Sequence, residues 1–162
     1  MRKAILLASA FGLSLTLGNA GAQEKSAAEA QHVMILPSSL QWMDTPPGIP
    51  AGCKMAVLHG DPSKEGPFAI RVKGPDGYKI PAHWHPTMEA VTVRSGIMYM
   101  GTGEKLDESR AGALPAGGFA AMPANVRHYV WFKGDTEIEI HANGPFAITY
   151  VNPADDPRNA KK

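Results

Sequence analysis

Three histidines and a glutamate occur in two short runs whose spacing can bring them to one point. The run from Gly77 to Gly96, GYKIPAHWHPTMEAVTVRSG, sets His83, His85 and Glu89 in sequence that otherwise has the composition of β-structure. In a strand, side chains at i and i+2 leave on the same face, so His83 and His85 point the same way. Glu89 keeps that parity if a turn at Pro86 to Met88 returns the chain to the same face. A second run, Gly117 to Phe132, GGFAAMPANVRHYVWF, has a Pro-Ala-Asn turn and then, shortly after, His128 entering another strand-like segment. Imidazoles and a carboxylate converging on one point are costly to bury, and a divalent cation compensates their desolvation most simply. His83, His85, Glu89 and His128 therefore read as a metal site with one or two coordination positions left for water or substrate. Mixed imidazole and carboxylate ligation suits one divalent ion of Fe, Mn, Ni, Cu, Co or Zn, and ligand type alone does not choose among them.

The spacing of these residues resembles that of the cupins. Gly77, His83, His85, Glu89 and Gly96 match the first cupin motif, G-x5-H-x-H-x3-E-x6-G, and Gly117, Pro123 and His128 match the second, G-x5-P-x-G-x2-H-x3-N. Two positions depart from the second motif, with Asn125 in place of Gly and Phe132 in place of Asn. Asn tolerates the left-handed backbone that Gly usually supplies, so the turn should survive. Phe132 removes a polar group beside the site. The resemblance implies an all-β fold, a single-domain jelly-roll β-barrel of cupin type, holding one metal ion through His83, His85, Glu89 and His128.

The elements that would position these residues are short strands separated by Gly and Pro turns, with no convincing helix, as in a sandwich or barrel. Strands are expected at His32 to Leu36, Met55 to Leu58, Phe68 to Lys73, Ile97 to Met100, Leu114 to Gly118, Phe119 to Met122, Arg127 to Lys133, Glu137 to His141 and Phe146 to Val151. The start of the chain has another character. Residues 1–22 open with Arg2 and Lys3, continue in an apolar run and end in Ala20-Gly21-Ala22, the pattern of a secretory signal peptide. A periplasmic or secreted protein is expected, with a flexible linker at 23–31, the barrel domain at 32–152 and a disordered polar tail at 153–162. Without residues 1–22 the chain has 14 Lys and Arg against 15 Asp and Glu. That balance suggests neither nucleic acid nor an anionic membrane as a partner. Cys53 is the only cysteine, which rules out an intrachain disulfide, and it reads as an ordinary small residue.

Strand parity gives the site a surround. A two-residue hairpin at Ser95-Gly96 would put Val91, Val93, Met98 and Met100 on the same inner face as Glu89, and the same logic turns Val130 and Phe132 inward. The ion would then sit in a mostly apolar cavity suited to a small organic molecule. The opposite parity puts Trp84, Tyr99, Tyr129 and Trp131 outside, where they need cover from the segment around Trp42 or from a second subunit. A homodimer is expected, as is common among the single-domain cupins that the chain resembles. His32 and His59 read as surface residues. In Glu137 to His141, Ile138 and Ile140 facing the core would leave Glu137, Glu139 and His141 in water. The opposite register would make Glu139 and His141 acid/base candidates behind the ligands.

Three functions are compatible with such a site. A metal-dependent oxidoreductase of dioxygenase type is slightly preferred, because the expected lining lacks an obvious acid or base beyond the ligands. A metal-dependent lyase or isomerase would need Glu139 or His141 near the substrate, and a non-catalytic binder of a metal or small metabolite would need neither.

Overall fold

Two long strands carry the fold. The computed structural model describes residues 32–160, so the expected signal peptide and linker lie outside the described residues. Nine strands follow one another as β1 (Met43–Asp44), β2 (Lys54–His59), β3 (Gly66–Gly74), β4 (Lys79–Trp84), β5 (Glu89–Thr102), β6 (Gly112–Pro115), β7 (Phe119–Met122), β8 (His128–Gly144) and β9 (Thr149–Tyr150). Every pairing is antiparallel, and β8 joins β3, β4 and β5.

The pairing of β5 with β8 runs from Glu89 opposite Ala142 to Thr102 opposite His128. Their partners change along the way. The Glu89 end is flanked by β7 and, across β8, by β3 and β2; the Thr102 end is flanked by β6 and, across β8, by β4 and β9. One bent ladder thus forms the shared edge of two sheet faces, and the apolar side chains between them make the core. Phe68, Ile70, Val93, Met98, Phe132, Ile138 and Ile140 belong to that core.

Several sequence expectations need correction. Ser95-Gly96 is not a hairpin: β5 continues through it, with register shifts on both sides of Ser95. Gly96 has φ 73°, and a Cβ there would collide with the Thr136 side chain and lie 2.6 Å from the Asp135 carbonyl. The glycine therefore bends a continuous strand against its neighbour. The inner set survives because the shifts restore parity beyond the bend. Likewise the two strands expected at Arg127 to Lys133 and Glu137 to His141 are one strand, β8. Residues 33–36 form no strand and are followed by a 3-10 turn at Pro37–Ser39. The polar tail is not structureless over its described part. Pro153–Asp155 and Pro157–Asn159 are 3-10 turns capped by the Asn152 and Asp156 side chains, which accept from Ala154 N and Arg158 N.

The outer aromatics find their cover within the chain. Tyr129 is 1% exposed and its hydroxyl donates to the Asp107 carbonyl at 3.0 Å, while Tyr99 stacks on Trp131 with centroids 3.8 Å apart. Trp42 lies elsewhere, under the Lys73 ammonium. Cys53 is buried and unpaired, and burial pushes its thiol up to about 11, so it behaves as a small core residue.

Replacing Gly96 by Ala should cost about 2 kcal/mol or more, through the positive φ and the contact with Thr136 and Asp135. Urea denaturation of the metal-free protein measures it; an unchanged midpoint would mean that the bend does not depend on glycine.

Candidate metal centre

The site forms where β4 meets the start of β8. His83 and His128 are direct cross-strand partners in that ladder, so they share a face. His85 follows the end of β4, and its carbonyl accepts from Asn125 N at 2.8 Å, tying the two motif segments together. Asn125 has φ 65°, the left-handed conformation expected of the residue that stands where the motif has Gly. Glu89 opens β5 and enters from the other face.

Each imidazole is held by the same device. Nδ1 of His83 donates to the Pro81 carbonyl at 2.7 Å, that of His85 to Ala147 at 2.8 Å and that of His128 to Val126 at 3.0 Å. A carbonyl only accepts, so the proton of each neutral ring sits on Nδ1 and the Nε2 lone pair is free. The candidate donor atoms of the three rings all lie within 4.8 Å of one another. Glu89 Oε2 adds a fourth donor, 3.4 Å from His128 Nε2 and 3.9 Å from His85 Nε2. Donors about 2.1 Å from a shared ion stand about 3 to 4 Å apart; the two Glu89 contacts fall in that range, and the three histidines are the group near enough throughout to hold an ion. Phe146 stacks on His85 with centroids 4.2 Å apart and 14° between planes, and Phe68 meets Phe146 edge-on.

The donors are buried, His83 at 3%, His85 at 6%, Glu89 at 6% and His128 at 1% exposure. Burial holds the His83 pKa well below the ordinary imidazole value, reinforced by the charges that His128 and His85 would carry. Burial also lowers His85, partly offset by Glu89. Both rings are therefore neutral and ready to ligate at pH 7.

The donors open into a cavity of about 240 Å³. Val91, Met98, Met100, Val130 and Phe132 line it as the strand parity implied. Val93 does not; one pair from the bend, it packs at 1% exposure into the solid core. Ile138 and Ile140 also line the cavity, which puts Glu139 and His141 on the opposite face of β8. There Glu139 accepts from Arg71 Nε at 2.9 Å and lies 3.0 Å from His141 Nε2. These two residues belong to an outer charge ladder and are not acid/base groups for the site. His59 is exposed at the end of β2.

Sequence reasoning missed the opening. Gly48, Pro62, Ile148 and Arg158 reach the cavity from the Pro-rich connection, a turn, the second Gly-Pro-Phe-Ala-Ile copy and the tail. The pentapeptide Gly-Pro-Phe-Ala-Ile occurs twice, at 66–70 and 144–148, and the two copies meet where Gly66 pairs with Gly144.

No family model and no curated protein matches the sequence. Solved structures do match. A candidate acetylacetone dioxygenase from Methylibium petroleiphilum is 21% identical with a TM-score of 0.61, over 80% of this chain and 88% of that one. The polyketide cyclase RemF from Streptomyces resistomycificus is 14% identical with a TM-score of 0.64, over 78% and 90%. An RmlC-like cupin from Shewanella frigidimarina is 15% identical with a TM-score of 0.55, over 70% and 91%. The chain has the cupin fold, as its two motifs implied.

Two outcomes follow from this geometry. Glu139→Gln and His141→Ala should leave metal content unchanged by elemental analysis, and loss of the ion in either would return them to the site. The lowered histidine pKa values mean that, below about 6.5, the unfolded chain takes up protons that the folded one refuses. Stability of the metal-free protein should therefore hold above pH 7 and fall as pH drops below that value. Melting temperatures from pH 7.5 to 5.0 measure the loss, which His83→Gln should reduce; equal slopes would place the protonation elsewhere.

Proposed function

We propose that His83, His85, Glu89 and His128 hold one divalent transition metal and that the protein is a metal-dependent oxidoreductase of dioxygenase type, acting on a small organic substrate. The observation that carries the reading is the fixing of all three Nδ1 protons on backbone carbonyls, which turns three free Nε2 lone pairs toward one point beside Glu89. A redox-active ion bound there would supply Lewis acidity and electron transfer between substrate and O2. The protein's own part is then positional. Glu89 offsets the ion's charge, the carbonyl contacts keep the imidazoles aimed, and the apolar wall holds the substrate while excluding water.

The absence of a base in the wall favours this over a lyase or isomerase. Besides the four donors, the cavity's titratable lining among the described residues is Arg158 alone, a poor base at neutral pH. Glu139 and His141, which proton transfer would have used, face away. A lyase or isomerase remains the alternative if the ion's own water moves the proton, and a binding protein if no turnover occurs.

Export and dimerisation are parts of the same reading. The basic start, apolar run and small residues of 1–22 support export with cleavage near Gln23. Support for a homodimer comes from Val33, Met34, Ile35 and Leu36, consecutive apolar residues 40–77% exposed, and from Phe119 at 61%.

Protein purified without a tag or chelator should carry about one metal per chain, begin near Gln23 and have twice the chain mass by light scattering. His83→Ala and His128→Ala should weaken metal binding about a hundredfold or more. Iron, copper, nickel or manganese with O2 consumption on small phenols, diketones or carboxylates would support the oxidoreductase. Near-full occupancy in both variants would sink the ligand assignment, and zinc without O2 uptake would favour the alternatives.

A further inference from the structure

Among the described residues Arg158 is the one permanent cation in the cavity wall, which is apolar apart from it, the metal-site donors and Thr45, and it comes from a segment that the sequence marks only as a polar tail. Its side chain is held rather than trailing. Nε donates to Asp156 Oδ1 at 2.8 Å, and Nη2 donates to Asp156 Oδ2 at 2.7 Å and to the Ile148 carbonyl at 3.1 Å. Nη1 has no hydrogen-bond partner among the described residues. The guanidinium packs against Gly48, where an added Cβ would lie 3.5 Å from Nη1 and 3.1 Å from Ile148. At 47% side-chain exposure Arg158 stands at the mouth, with the metal donors buried within the cavity.

A guanidinium clamped on one edge and open on the other is a preorganised donor for an oxygen anion. The clamp fixes its direction. An apolar ligand alone would gain nothing from this group and would have to desolvate it.

We propose that the substrate of this cavity carries a carboxylate on an apolar body, and that Arg158 is the residue that selects it at the mouth while an oxygen at the other end reaches the metal. The inference rests on the reading of the four-donor site as the metal centre. It deepens that reading by naming the substrate class: a small monocarboxylate with a metal-binding oxygen, rather than a neutral diketone or phenol. Asp156 and Ile148 act as positioning groups for Arg158.

The test separates the tail from the metal-binding head. The zinc-loaded protein, redox-inert with catechols, is titrated by calorimetry with 3-(3,4-dihydroxyphenyl)propanoate and with 4-propylcatechol, which share a chelating head and differ in the carboxylate. Wild-type protein should prefer the carboxylate about tenfold or more. Arg158→Gln should abolish the preference with 4-propylcatechol affinity, zinc content and melting temperature unchanged, and Arg158→Lys should keep part of it. A wild-type protein that binds both probes equally, or an Arg158→Gln variant that retains the preference, overturns the role of Arg158 and leaves the metal centre standing. Failure to take up zinc, or to bind either probe once loaded, overturns the metal-centre reading and this inference together.

Discussion

The site depends on the bend in the β5–β8 ladder. Glu89 and His128 are the first residues of these two antiparallel strands, and His128 pairs with Thr102 at the far end of β5. On a flat ladder the stretch from Glu89 to Thr102 would hold them about 40 Å apart. In the folded chain Glu89 Oε2 and His128 Nε2 are 3.4 Å apart. The ladder achieves this by folding over at Gly96, whose missing Cβ lets β5 lie against Asp135 and Thr136. Thr136, 2% exposed, secures the other side of the bend by donating to the Gly134 carbonyl at 3.0 Å. The two sheet faces, the cavity between them and the meeting of the donors all follow from that one change of direction.

Once the ends meet, local hydrogen bonds decide what they can do. His83 and His128 each donate to the carbonyl two residues earlier in the chain, so the backbone that places the ring also sets its tautomer. His85 instead uses Ala147, 62 residues away, and is stacked on Phe146. The segment carrying the second Gly-Pro-Phe-Ala-Ile copy therefore both roofs the cavity and aims a candidate ligand. Burial lowers the proton affinity of His83 and His85, which keeps their lone pairs available near neutral pH.

Charge is sorted by face along β8. Ile138 and Ile140 turn into the cavity, and Glu137 and Glu139 turn out to meet Arg71 on β3, with His141 beside Glu139. The strand period of two makes the sorting strict: no member of the outer ladder can reach the cavity without moving both isoleucines into water. The cavity is left with donors at its buried end, hydrocarbon along its length and one clamped guanidinium at its opening. Such a surround is shaped to shield a small molecule and, among the described residues, offers no side chain beyond the donors suited to carry protons.

The sequence by itself determined the all-β class, the nearness of three histidines and part of the cavity wall, because spacing within a strand dictates which side chains share a face. His83 with His85, Val91 with Glu89, and Val130 with Phe132 needed only that period. Asn125 was legible too, since few residues other than Gly enter the left-handed region readily. What only the tertiary structure decided are relations between segments far apart in the chain. Gly96 could equally have marked a hairpin or a bend, and the choice rests on whether β8 lies alongside the whole of β5. Val93 left the cavity wall because the bend falls next to it. Glu139 and His141 were assigned their face by pairing with β3. Arg158 came to the mouth through Asp156 and the Ile148 carbonyl, a hydrogen-bonded docking that tail composition does not encode.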